Sequence, residues 1–258
     1  MRIEYNYRYY LTENEYKQYH IQLKGFIKKY VATKLADVGE VIHFAQAQQR
    51  QGRYVSLYLS YEAAKYFNND SFTYNLIDYI KTQTKLTVQV VGIDNLLIED
   101  VINMKPKAIV ISPGPGNPDD YPILNEVLEQ FYQRVPILGV CLGFQCIVSY
   151  FGGNIIHGYH PVHGHTTQLR HTNEGIFQGL PQNFNVMRYH SLIADGATFP
   201  NCLKITAKND EAIIMAFEHI TFPVFGVQYH PESILSEYGY RQVELFLSKV
   251  GDYCENRI

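Results

Sequence analysis

The stretch Pro136-Ile137-Leu138-Gly139-Val140-Cys141-Leu142-Gly143 admits few folds. Its first half is a short continuous apolar run, the pattern of a strand covered on both faces. Its second half places two glycines around a cysteine and leads into Phe144-Gln145-Cys146-Ile147-Val148, which reads as a helix. A strand that turns into a helix within one residue needs glycine where backbones approach closely. The small-x-nucleophile-x-small order is that of the strained elbow in serine hydrolases. A thiol at that corner stands at a helix N-terminus, where free N–H groups and the helix dipole favour thiolate. Cysteines in apolar runs are also common core residues, so Cys141 needs partners elsewhere before it is read as a nucleophile.

Two other segments supply them. In Val227-Gln228-Tyr229-His230-Pro231-Glu232-Ser233, His230 follows a strand-like run, and Glu232 lies two residues on, within reach to orient the imidazole. In Ser112-Pro113-Gly114-Pro115-Gly116-Asn117-Pro118, Gly and Pro exclude helix and strand. That loop follows the apolar run 108–112, and Gly114 and its neighbours can offer backbone N–H groups to a developing oxyanion. All three segments fall at the carboxyl ends of expected strands, where open α/β sheets build their sites.

The surrounding pattern fits such a sheet. Helical spacing is expected over 72–83 and 123–134, strands over 86–92, 108–112 and 136–140. From about 154 to 230 short strand-like segments follow, partly antiparallel, and 242–250 reads as a closing helix. The first 67 residues differ in kind. They hold 10 Lys/Arg against 6 Asp/Glu, 11 of the 22 tyrosines and none of the 11 prolines. The boundary is therefore set at 67, with 1–67 and 68–258 as separate segments.

Bulk numbers exclude more than they select. The net charge of −3 gives no general case for nucleic acid or an anionic membrane. No run of 18 apolar residues exists, and no apolar stretch opens the chain. Four cysteines do not make a disulfide framework, so a reduced, cytoplasmic protein is expected. Five histidines in 157–171 lack carboxylates or cysteines at matching spacing, which weighs against a metal site.

Taken in order, Pro113–Pro118, Gly139–Gln145, Arg188-Tyr189-His190-Ser191-Leu192 and Val227–Glu237 resemble the class I (triad-type) glutamine amidotransferases. More narrowly, they resemble component II of aminodeoxychorismate and anthranilate synthases, and 68–80 is similar to that family's opening helix. The resemblance covers about residues 68 to 250. It implies a flavodoxin-like open, mostly parallel sheet flanked by helices, with additional antiparallel strands. It implies that Cys141 attacks the glutamine amide, that His230 moves protons and that Glu232 orients it. Backbone N–H groups near Gly114 and at Leu142 would form the oxyanion hole. Pro115, Gly116, Gln145, Ser191 and Leu192, with Gly114, would hold the glutamine. The chain would need no cofactor or metal of its own. Its partner would be component I, which receives ammonia and aminates chorismate. Phe144 and His165 depart from the family pattern without removing a catalytic atom.

Residues 52–67 resemble the start of component I of aminodeoxychorismate synthase, which favours the folate branch and 4-aminobenzoate over anthranilate and tryptophan. Where component II opens with a buried strand, this chain has Glu62-Ala63-Ala64-Lys65-Tyr66-Phe67. The amidotransferase segment is thus expected to lack its usual first strand. Either 54–60 or 63–67 would substitute for it, and the first 50 residues would pack poorly without their native partners. Two other functions are weighed: a docking module disabled by the altered sheet, and a cysteine hydrolase of another amide or ester. Gln145 and the 188–192 motif speak against the second.

Overall fold

In a computed structural model, residues 2–12, 15–24, 71–93 and 96–255 are described. The chain divides into two units, Met1–Asn69 and Asp70–Ile258. In the first, β1 (Arg2–Thr12) and β2 (Glu15–Lys24) form an antiparallel hairpin with Tyr7 opposite Tyr19. Tyr5, Tyr7 and Tyr9 recur at the strand period, a signal that the sequence reading passed over. Both segments offered as substitutes for the missing strand, 54–60 and 63–67, lie outside the described residues.

Among the described residues, the second unit is a sheet of seven strands with helices on its faces. Its strands are β3 (Ile109–Ile111), β4 (Ile137–Val140), β5 (Ile155–His171), β6 (Phe184–Ala194), β7 (Leu203–Asn209), β8 (Ile214–His219) and β9 (Val224–Val227). They lie in the order β3-β4-β9-β8-β7-β5-β6. Pairings β3–β4 and β4–β9 are parallel, and the remaining four are antiparallel. The parallel part carries the loops of the site, and the expected antiparallel strands outnumber it among the described residues, so the sheet is mixed rather than mostly parallel.

Alternation along β4 explains the two-faced core. Leu138 and Val140 point to one side, where they join Leu76 and Ile80 of α1 (Ser71–Gln83) and Val243 and Phe246 of α5 (Gly239–Glu255). Ile137 points to the other, toward α2 (Ile98–Met104), α3 (Pro122–Phe131) and α4 (Leu142–Tyr150). Both faces are buried, so the strands read as unbroken apolar runs. On the α4 face the register sets Gly139 beside Gly226. A Cβ on Gly139 would stand 2.5 Å from the Gly143 backbone, and one on Gly226 would stand 2.4 Å from the Phe217 ring and 3.1 Å from the Phe144 ring. These two glycines form a notch that seats the first turn of α4 directly on the sheet.

One element departs from expectation. Residues 86–92 form no strand, and Leu86, Val90 and Val91 are 51%, 58% and 45% exposed. A strand needs a neighbour to take its N–H and C=O groups. Among the described residues β3 pairs with β4 alone, and no described strand stands beside 86–92.

Candidate active site

Cys141 occupies the N-cap of α4 with φ 53° and ψ −98°. Left-handed φ at a residue with a Cβ is strained, and such strain survives only where its surroundings enforce it. The enforcement is visible. Cys141 N donates to Val227 O at 2.8 Å, which extends the β4–β9 ladder to the nucleophile, while Gln145 N donates to Cys141 O at 3.1 Å and starts the helix. A Cβ on Gly143 would collide with Ile111 O, so only glycine lets the helix begin here. Cys146, on the same helix, is a contrasting thiol. Burial first, then the charge of Cys141, pushes its pKa up to about 12.

His230 and Glu232 follow β9. His230 Nδ1 and Glu232 Oε1 are 2.7 Å apart, and both side chains are buried. Burial would lower the His230 pKa, but the Glu232 carboxylate and then Cys141 outweigh it and hold it well above the usual histidine value. The rings of Tyr189 and His230 also meet in a T-shaped contact, with centroids 5.3 Å apart at 90°.

The backbone of His230 is clamped to β6. Its N–H donates to Met187 O at 3.0 Å, and its C=O accepts from Ser236 Oγ at 2.5 Å. Ser236 Oγ in turn accepts from Met187 N at 2.9 Å. Glu237 accepts from Asn185 N at 2.6 Å. Since β6 ends the sheet order far from β9, the β5–β6 hairpin must fold back to reach the histidine.

The loop after β3 is equally built. A Cβ on Gly114 would lie 2.7 Å from Leu142 Cδ2, so Gly114 and the helix start are in contact. Tyr121 Oη donates to Pro115 O at 2.7 Å. Asn117 and Asp120 form a reciprocal capping box, with Asn117 N donating to Asp120 Oδ2 at 2.9 Å. Gly116 has φ +80°, and its Cβ position is closed by Asp120, so the turn requires glycine there.

Gln145 is buried one helical turn from Cys141, and its Nε2 donates to Leu192 O and to Gln228 Oε1, both at 3.2 Å. Gln228 Nε2 reaches Cys141 Sγ at 3.9 Å. Ser191 and Leu192 lie half-buried in β6. Thus Cys141, Leu142, Gln145, Leu192 and Gly114 are linked, directly or through one side chain, and the His230–Glu232 pair is coupled electrostatically to Cys141. Tyr121, Asp120, Gln228 and Tyr189 were missed by the sequence reading. The polar Gln228 directly after the apolar run of β9 and the residues flanking the 112–118 loop were the available signals.

Among the described residues no group of three or more His, Cys, Asp and Glu side chains could hold a metal, and no helix is long and apolar enough to cross a membrane. A groove of about 710 Å³ lined by Gln89, Val91, Leu96, Asp100 and Met104 contains no member of the triad.

The second unit resembles known proteins. The family model described as "Glutamine amidotransferase class-I" matches residues 67–250. The aminodeoxychorismate synthase component 2 of Klebsiella aerogenes is 43% identical over 182 residues, 70% of this chain and 97% of that protein. The anthranilate synthase component 2 of Azospirillum brasilense is 41% identical, over 70% and 92%. A multifunctional tryptophan biosynthesis protein of Pichia angusta is 42% identical over 73% of this chain, which spans about half (51%) of that protein. A solved GMP synthase protein of Thermoplasma acidophilum shares the fold, with TM-score 0.65 at 24% identity, over 74% of this chain and 94% of that one.

Proposed function

Because the chain belongs to the class I glutamine amidotransferases, we propose that it hydrolyses glutamine through a cysteine thioester and passes the ammonia to a partner synthase. The observation that carries this reading is the Glu232–His230 pair, 2.7 Å apart and buried, beside a cysteine held at φ 53° on a strand-to-helix elbow.

Each step follows from a named group. The Cys141 thiolate attacks the side-chain amide carbon of glutamine. The oxyanion forms between the backbone N–H groups near Gly114 and at Leu142, a reading supported by the close approach of Gly114 to the Leu142 side chain. His230, kept protonated by Glu232, gives its proton to the amide nitrogen, and ammonia leaves. A γ-glutamyl thioester remains. Water then attacks it, His230 takes the water proton, and glutamate departs with the thiolate restored. Gln145, Ser191, Leu192 and the Gly114–Gly116 loop hold the substrate.

The ammonia acceptor is component I of aminodeoxychorismate synthase, which aminates chorismate toward 4-aminobenzoate and folate. Residues 52–67 support this branch by their likeness to the start of component I. Relatives named for the tryptophan branch support anthranilate synthase component I as the second reading. The expected compartment is the cytoplasm.

The test is glutamate release by the full chain, alone and with each component I plus chorismate, with Cys141→Ser as the blank. Release that needs Cys141 and rises with one partner supports the reading and chooses the branch. Soluble protein that releases no glutamate with either partner refutes it and favours a docking module. Turnover of unrelated amides at an equal rate would favour the general hydrolase.

A further inference from the structure

Arg188 is buried, with its side chain 4% exposed, and its only ion-pair partner among the described residues is the largely exposed Glu211, 3.4 Å away. Burying a guanidinium this way is costly unless its donors are used. Its Nε–H is aimed at His190 Nε2, at 3.3 Å. On the other side of that ring, His190 Nδ1 is 3.0 Å from Leu192 O. A carbonyl can only accept and Arg188 Nε can only donate. Both contacts are therefore made together by one form alone, the neutral imidazole with its proton on Nδ1. Arg188 selects that tautomer, and the tautomer donates to Leu192 O.

The same carbonyl accepts from Gln145 Nε2 at 3.2 Å. A single chain of contacts thus runs from the surface carboxylate of Glu211 through Arg188, His190, Leu192 O and Gln145 to Gln228, whose amide reaches Cys141 Sγ at 3.9 Å. Its outer end is built too. Asn209 Oδ1 accepts from Glu211 N at 3.1 Å and from Ile213 N at 2.9 Å, which fixes the turn that presents Glu211. We propose that His190, oriented by Arg188, is a positioning residue for substrate glutamine, because it sets the Leu192 carbonyl and, through it, the Gln145 amide. This rests on the reading of Gln145 and Leu192 as glutamine contacts.

The test separates substrate holding from thiol chemistry. Full-length wild type, His190→Leu, His190→Asn and Glu211→Lys are compared in glutamine hydrolysis and in inactivation by two reagents. One, 6-diazo-5-oxo-L-norleucine, carries the amino-acid end of glutamine, and the other, iodoacetamide, does not. Loss of the hydrogen bond in His190→Leu should raise KM about tenfold and slow the diazo reagent about as much, with kcat and iodoacetamide reactivity changed by less than about threefold. Asparagine can keep a donor near the Nδ1 position, so His190→Asn should return KM to within about threefold of wild type. Glu211→Lys should raise KM in the same pattern by about fivefold. Equal slowing by both reagents, or unchanged KM, would overturn the proposal, since His190 would then support the fold at large or nothing. Should His190→Leu not fold, the exposed Glu211→Lys decides by the same criteria. A wild type that reacts with iodoacetamide but with neither glutamine nor its analogue would bring down the glutaminase reading and this inference together.

Discussion

Cys141 is held at φ 53°, a conformation that a side chain resists and glycine does not. Relief of such strain is worth about 1–3 kcal/mol, offset by about 0.4–1 kcal/mol from the freer unfolded chain of a glycine variant. Cys141→Gly should therefore be inactive yet more stable than Cys141→Ala by about 1 kcal/mol in urea unfolding. Equal stabilities would mean that the elbow stores no strain. The histidine predicts a pH effect. Its folded pKa lies above its unfolded one, because Glu232 and Cys141 outweigh burial. The stability it contributes is then complete below about pH 6.5 and lost as pH rises through the raised folded value. The melting-temperature gap between wild type and His230→Gln should narrow steadily from pH 6.5 toward alkaline pH. A gap that widens over that interval would contradict the sign.

The elements place these residues through close approach. Gly139 and Gly226 sit side by side on β4 and β9 and let α4 rest on the strands. A methyl group at Gly139 would meet the Gly143 backbone at 2.5 Å, so Gly139→Ala must lift the helix or bend the strand. Overpacking of that kind costs about 1–3 kcal/mol. Moving the helix start also displaces Cys141 and the Leu142 N–H, and shifts of about 1 Å at a reacting centre can cost on the order of 10²-fold in rate. Gly139→Ala should remain folded by circular dichroism and lose about 10²-fold in glutamate release. Retention of full activity would mean that the notch is not what seats the nucleophile.

The whole molecule was legible in sequence where chemistry is local. The elbow, the His-x-Glu pair and the glycine-proline loop each declare themselves within eight residues, and the core strands within a single apolar run. Contacts that join distant segments were not legible: Gln228 on Cys141, and Ser236 between Met187 and His230. The strand expected over 86–92 failed for the same reason, because pairing depends on a neighbour and not on the segment's own residues. That division has a consequence for how the protein comes apart. Cys141 rides on the parallel strands, whereas the backbone of His230 is stitched to the β5–β6 hairpin by Met187 and Ser236. Segments of one native protein open with different free energies. Mild urea that frees the hairpin would strand the thiol without its base while the helices are still intact. Turnover would then be the earliest gauge of damage, falling at a lower urea concentration than the helical signal. Coincident curves would mean that hairpin and sheet melt as one body.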